Sequence, residues 1–486
     1  MLKKLTTIFC KAIVLSIFLV FVGCENLFNQ NLIESQSTVS GERKDHLIEL
    51  ALTGNWKSSE TEVENAILAI LEKEGRSAET SSVKMSKIDE ASIVVPAKLN
   101  PSRSAIVEEC NEINFDLYSL ETDDEELYAV TSDDKRVGNV LALVDSEFKS
   151  DISNDDFSIM FAECLSNYVL NTVEEWNSIT DEDIYVYKDR SAYKDIANSG
   201  NYTYSAWKKN YGNTKCILPI NWNQNPSPFN DCIIAVKGGD AYYVGCGAIQ
   251  VAQIMAFHKY AKTTISPNLN TIKNKWSLAK NWDGKYDFNV LTSVKTPHAF
   301  NSENLRIQLG AFLYDVAEGC KSTYKSGGTS TYESNRLAYL KSQGYTYSST
   351  SGYSFDNIKK SIDAGCPVPI CGQSMKKTTT KNHRFLWWTW TTSSVSYSGG
   401  HAFIIDGYYN MTCTATNGSN IITITDNFIH CNTGWGGSRN GYYLSGVMNF
   451  GMGPLTNDNT DRSIEGTSYY YQYKLSQTNI LKPKVM

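Results

Sequence analysis

Apolar side chains recur at helical spacing from Glu62 to Glu74, where Val63, Ile67, Ile70 and Leu71 share one face. Between residues 76 and 104 the chain is Ser-rich and reads as a mobile stretch. Apolar and polar residues then alternate over Ile113-Asn114-Phe115-Asp116-Leu117, as in a half-buried strand. Leu127–Val130 and Val140–Val144 read as its neighbours across acidic turns. A long amphipathic helix is predicted from Asp155 to Trp176, with Phe157, Phe161, Cys164, Leu165, Tyr168 and Val169 along its stripe. Residues 42–180 thus describe a small α+β unit. Its one histidine is His46, and it carries no catalytic constellation. Residues 181–215, rich in Tyr, Lys and Asn, show no period and read as a linker with room for a processing site. Beyond residue 216 aromatic residues and glycines become frequent and acids rare.

The start of the chain has a different pattern. Met1-Leu2-Lys3-Lys4 is basic, and Ala12 to Val22 is an apolar run of 11 residues. That is short of the roughly 20 needed to span a bilayer, so it reads as the apolar core of a secretory signal. Phe21-Val22-Gly23-Cys24 ends it and resembles a bacterial lipobox, with Cys24 as the lipid-modified residue and residues 24–41 as a polar tether. The expected location is the bacterial cell envelope, lipid-anchored at the outer membrane or cell surface, with release possible. Membrane contact is expected through the N-terminal lipid alone.

Charge adds an asymmetry. Residues 101–200 carry 24 acidic against 7 basic side chains, whereas residues 201–486 carry 15 against 27. A net charge of −7 argues against a nucleic-acid partner. The acids can serve solubility alone, or the acidic part can dock on the basic part and block it until cleaved. Twelve cysteines in 486 residues do not make a disulfide scaffold. Cys366–Cys371 or Cys216–Cys232 could be bridged, and buried free thiols are the alternative.

One cysteine is placed for chemistry. Gly245-Cys246-Gly247 opens a helix whose apolar face includes Ala248, Ile249, Ala252, Met255 and Ala256. At a helix N-terminus, free backbone N–H groups and the dipole favour a thiolate. The alternative is a buried structural cysteine. A thiolate nucleophile needs an imidazole partner. His258 lies 12 residues along the same helix, some 18 Å away at about 1.5 Å per residue. His298 and His401 share the string His-Ala-Phe. His298 follows a proline in a polar loop, while His401 follows Gly399-Gly400 and begins the apolar strand His401-Ala402-Phe403-Ile404-Ile405-Asp406-Gly407. His401 is therefore the expected base, and His258, His298, His383 and His430 are read as packing. Asn432 can accept the imidazole N–H, and Trp435 can cover the pair. Gln224, 22 residues before Cys246, can donate to a developing oxyanion. No Cys-x-x-Cys pair or carboxylate-paired histidine suggests zinc, and no cofactor is expected.

In the order Gln, Cys, His, Asn, these residues resemble the streptopain-type cysteine peptidases of bacteria, papain-like enzymes made as zymogens. The resemblance rests on Trp222-Asn223-Gln224, on Gly245-Cys246 with Ala252-Gln253-Ile254-Met255 and His258, and on Gly400 to Gly407. Asn432 with Gly434-Trp435-Gly436-Gly437 and Gly441-Tyr442-Tyr443 completes it. It covers roughly residues 216–450. It implies an α+β fold in which a papain-like catalytic domain over 206–486, a helical half plus an antiparallel sheet or barrel half, follows an acidic inhibitory pro-domain and processing linker over 42–205. It implies Cys246 as nucleophile, His401 as general base and acid, Gln224 in the oxyanion hole, and Asn432 and Trp435 in the supporting loop. Extended peptides, with an apolar side chain two positions before the scissile bond, are the implied substrates. Thr433 stands where the family commonly has a tryptophan, so Trp435 is expected to do most of the covering. A thiol amidase or acyltransferase, or an inactive adhesin-like surface protein, are the competing functions.

Overall fold

A computed structural model of the chain describes residues 44–71, 83–94, 112–122, 126–146, 156–191, 202–210, 216–225, 227–239, 242–295, 302–325, 328–373, 375–385, 388–398, 400–448 and 474–484. The leader, the tether, Cys24 and His298 lie outside the described residues. The architecture is α+β. Twelve strands form one sheet, numbered here β1 Lys84–Val94, β2 Glu112–Glu121, β3 Glu126–Ser132, β4 Val140–Val144, β5 Thr203–Tyr204, β6 Lys208–Asn210, β7 Ser349–Ser351, β8 Val368–Gln373, β9 His401–Asn417, β10 Asn420–Asn432, β11 Gly441–Leu444 and β12 Lys474–Asn479. The order along the sheet is β1-β2-β3-β4-β11-β10-β9-β8-β12-β7, with β5 and β6 also paired to β9.

The expected strands at 113–117, 127–130 and 140–144 correspond to β2, β3 and β4, and the expected long helix to Asp156–Ser178. Two stretches read as irregular are structured. Within 76–104, Lys84–Val94 is an edge strand paired to β2. Its Lys, Asp and Glu side chains hide any apolar alternation and discourage further pairing at the edge. Within 181–215, Asp181–Arg190 is a helix, begun by a capping box in which Thr180 and Asp183 each satisfy the other's backbone N–H. β5 and β6 follow it.

β9 and β10 form the central hairpin, turning at Gly418 with φ +60°. From His401 to Tyr409 β9 is buried without a break, because both of its faces are covered. Ile404 packs into a helical layer built from Asp231–Lys237, Cys246–Phe257, Leu269–Lys275, Glu303–Gly319 and Glu333–Ser342. Phe403 and Ile405 pack into a second core. That core also contains Leu141, Leu143, Phe161 and Val169 from the N-terminal part and Phe428, Tyr443 and Leu444 from the C-terminal part. The two parts therefore do not hold separate sheets: β4 pairs with β11 across the boundary. A third core seats Leu47, Leu50, Trp176 and Tyr187 against Cys413, Ile422 and Ile424 at the far end of the hairpin.

Candidate active site

Cys246 is the first residue of the helix Cys246–Phe257, and Gly245 precedes it at φ +91°. A Cβ at Gly245 would lie 2.9 Å from the Thr329 carbonyl oxygen, so the turn into the helix needs glycine on both counts. From Gly247 to Ala256 the helix is wholly buried, so its two glutamines must be satisfied internally. Gln253 accepts from the Trp222 N–H at 3.0 Å and donates to Asn432 Oδ1 at 3.2 Å. It thus ties the 222–224 segment and the end of β10 to the helix that Cys246 opens. Gln250 donates to the carbonyls of Ile370 at 2.8 Å and Phe403 at 2.6 Å, anchoring the helix on β8 and β9.

His401 begins β9 and is buried. Its Nε2 lies 2.9 Å from the Thr433 carbonyl oxygen. A carbonyl can only accept, so Nε2 carries the proton and Nδ1 is left for the thiol. The Cys246 thiol is half-buried and hydrogen-bonds to His401 and to the backbone of Ala402. Burial pushes this thiol up, but the His401 hydrogen bond and charge, the Ala402 contact and the Arg336 charge outweigh it, and the thiol ends below its usual range. The rings of Trp435 and Phe403 lie near-parallel to the imidazole, at 6.5 Å and 3° and at 6.4 Å and 13°.

Asn432 does not hold the imidazole as expected. Its Oδ1 accepts from Gln253 and from the Gly434 N–H, and its Nδ2 donates to Ile220 O and Asn221 Oδ1, each at 2.9 Å. The amide is fully used in fixing the loop, and the ring N–H goes one residue further, to Thr433. Thr433 is fully buried. Its N–H donates to Asn440 Oδ1 at 2.9 Å and its hydroxyl to Ser438 O at 2.7 Å, which fixes the carbonyl that His401 uses. Gly436 N–H donates to the Trp222 carbonyl at 3.0 Å and closes this loop on the 222–224 segment.

Gln224 is buried beside the turn into the helix, its carbonyl accepting from Val244 N–H at 3.0 Å. Its Nε2 is buried with no hydrogen-bond partner among the described residues. An unpaired buried amide donor costs about 1–3 kcal/mol, a penalty that a bound oxyanion would relieve. Two participants were missed in the sequence. The Thr433 carbonyl has no side-chain signature. Arg336 is 5% exposed and donates to Gln250 Oε1 at 2.7 Å and Cys371 Sγ at 2.6 Å. A lone arginine one turn before buried Leu340 was its available signal.

The remaining histidines are placed elsewhere. His258 Nε2 lies 3.2 Å from Leu481 O, and burial lowers the ring to about 4, as fits a packed histidine. His383 falls in the strand Met375–Phe385, whose side chains are outside the described residues. The nine described cysteines are all free, so neither suggested bridge forms; Cys232 is buried while Cys216 is exposed. No curated protein matches the chain. Residues 222–443 match the model of the Peptidase C10 family, the streptopain family, and this match supports a streptopain-type cysteine peptidase, a cysteine-type endopeptidase.

Proposed function

We propose that the chain is a lipid-anchored zymogen. Its papain-like catalytic domain, residues 206–486, hydrolyses extended peptides through Cys246 and His401, with Gln224 in the oxyanion hole. The single observation that carries this reading is the chain of contacts from Cys246 to His401 to the Thr433 carbonyl, beside the partnerless Gln224 Nε2. Cys246 Sγ attacks the scissile carbonyl carbon, and its proton resides on His401 Nδ1. The oxyanion takes a hydrogen bond from Gln224 Nε2 and one from the Cys246 N–H at the helix start. On collapse, His401 delivers its proton to the leaving amine. It then draws one from the water that hydrolyses the thioester. Thr433 keeps the ring in the tautomer this sequence needs, Asn432 and Gln253 position the loop, and Trp435 and Phe403 limit water at the imidazole.

Residues 42–205 act in this reading as the inhibitory pro-domain. Support comes from the loop that sets His401. Asp145 N–H donates to the Asn440 carbonyl at 3.1 Å, and Ser146 Oγ accepts from the Arg439 N–H and guanidinium at 2.8 Å each. Asn440 is also the residue whose side chain holds the Thr433 N–H. Removal of the N-terminal part would free that loop. The lipid anchor rests on the leader and Cys24 alone. The test is to incubate residues 24–486 with an unfolded protein and sequence the products. Internal peptide-bond cleavage is expected, along with self-cleavage within 190–215, and Cys246→Ala should abolish both. Acyl transfer in place of hydrolysis would favour the transferase reading. No turnover, with an unreactive Cys246, would favour the adhesin-like one.

A further inference from the structure

We infer that Cys216, His430 and Asp406 form a second thiol centre, separate from the peptidase pair, that exchanges with small disulfides. Asp406 is the residue displaced where the β9–β10 register shifts between Ile405 and Gly407. Such a bulge re-aims a side chain, and here it buries a carboxylate that is 1% exposed. Asp406 Oδ1 lies 2.6 Å from His430 Nδ1, and Oδ2 accepts from the Leu218 N–H at 3.3 Å. The Asp406 carbonyl accepts from Ile217 N–H at 2.8 Å, which holds residues 216–218 against the bulge. A Cβ at Gly407 would lie 3.2 Å from His430 Cβ and 3.5 Å from Cys216 Cα, so glycine makes the room for this approach.

Cys216 is exposed, and its Sγ, a His430 nitrogen and an Asp406 oxygen lie within 4.8 Å of one another. Tyr442 closes one side, its hydroxyl 3.5 Å from Cys216 Sγ and its ring edge-on to the imidazole at 4.9 Å. Burial would push His430 down, but Cys216 and Asp406 beside it hold it well above the usual imidazole range. The arrangement is nucleophile, base and orienting carboxylate, with the nucleophile open to solvent. It is a poor zinc site. Asp406 already uses both oxygens, leaving one sulfur and one ring nitrogen where zinc takes three or four protein ligands.

The reaction balances without a further oxidant. The Cys216 proton goes to His430, and Sγ attacks one sulfur of a small disulfide. A new S–S bond forms as the old one breaks, and the departing thiolate takes the proton from His430. Cys216 is oxidised to a mixed disulfide, and one half of the incoming disulfide is reduced to a thiol.

The test uses the full chain carrying Cys246→Ala, treated at pH 7 with dithiobis(nitrobenzoate), quenched in time and mapped by peptide mass. Cys216 should be modified about tenfold faster than in the same chain with His430→Gln. Equal rates within twofold would overturn the proposal, leaving an ordinary exposed thiol. If His430→Gln fails to fold, as read by circular dichroism, Asp406→Asn carries the same test. It keeps the side-chain volume, and an unchanged rate there would overturn the proposal equally.

Discussion

Gly441→Ala should detach the N-terminal part from the catalytic sheet. Gly441 pairs with Val144, Tyr442 with Leu143 and Tyr443 with Ala142, forming the ladder that joins β4 to β11. A Cβ at Gly441 would fall 2.2 Å from the Leu143 carbonyl oxygen and 2.7 Å from Val144 Cα. Those are backbone atoms, which no rotamer change can move aside. Overpacking of this kind costs about 1–3 kcal/mol, and each ladder hydrogen bond lost costs about 1 kcal/mol more. A total of about 2–4 kcal/mol corresponds to roughly 30- to 1,000-fold easier opening. Hydrogen exchange at residues 141–144 reads it directly, in the full chain with Cys246→Ala to prevent self-cleavage. The same measurement separates apolar from electrostatic docking. The ion pairs Lys57–Asp133, Lys135–Glu62 and Arg136–Asp134 stay within the N-terminal part, and Lys237–Glu318 and Arg306–Asp231 stay within the C-terminal part. Raising salt from about 0.05 to 0.5 M shortens the Debye length from roughly 14 to 4 Å. Protection in the parent should then change by less than about threefold. Unchanged protection in Gly441→Ala would refute the ladder argument, and collapse of protection at high salt would return the docking to charge.

Gln224→Ala should lower kcat about 10²- to 10³-fold with little change in KM, measured on a peptide substrate, because the proposed mechanism calls on its amide when charge develops on the carbonyl oxygen. Trp435→Ala should reduce kcat/KM more than Thr433→Ala. The threonine acts on His401 through a carbonyl that alanine keeps, while loss of its hydroxyl costs about 1 kcal/mol of loop stability. Burial raises Asp426 to about 7. The folded state therefore opposes its ionisation, and stability falls as pH rises from about 4 towards 7. Asp426→Asn should remove up to about 4 kcal/mol of that loss, so urea midpoints of parent and variant should diverge between pH 4.5 and 7.5.

The pair proposed as nucleophile and base was legible because each residue is marked twice. Cys246 has glycine on both sides and an apolar helix after it, and His401 follows a glycine pair and opens an apolar strand. Asn432 was legible as a residue near His401 but not in its contacts. Its amide competes for Gln253, Gly434, Ile220 and Asn221, and sequence order cannot rank those partners against an imidazole. The joined sheet had an overlooked signal. Val140–Val144 is apolar at every position, as in a strand covered on both faces, which suits an interior strand better than the rim of a small domain. The charge asymmetry pointed to docking of the two parts, but composition cannot distinguish a charged surface from the apolar ladder at the contact. β1 was hidden for the opposite reason, since an exposed edge strand needs no apolar alternation.

The central claim is that Cys246 is a thiolate nucleophile set by His401. The most direct measurement is the rate of covalent labelling by a peptidyl epoxide at pH 5.5, with the modified residue located by mass mapping. Burial pushes the Cys246 thiol up, but the His401 hydrogen bond and charge, with Ala402 and Arg336, hold it below its usual range. Labelling at Cys246 should therefore persist at this pH and fall at least about a hundredfold in His401→Ala. Labelling that maps to another cysteine, or that is indifferent to His401→Ala, would contradict the account.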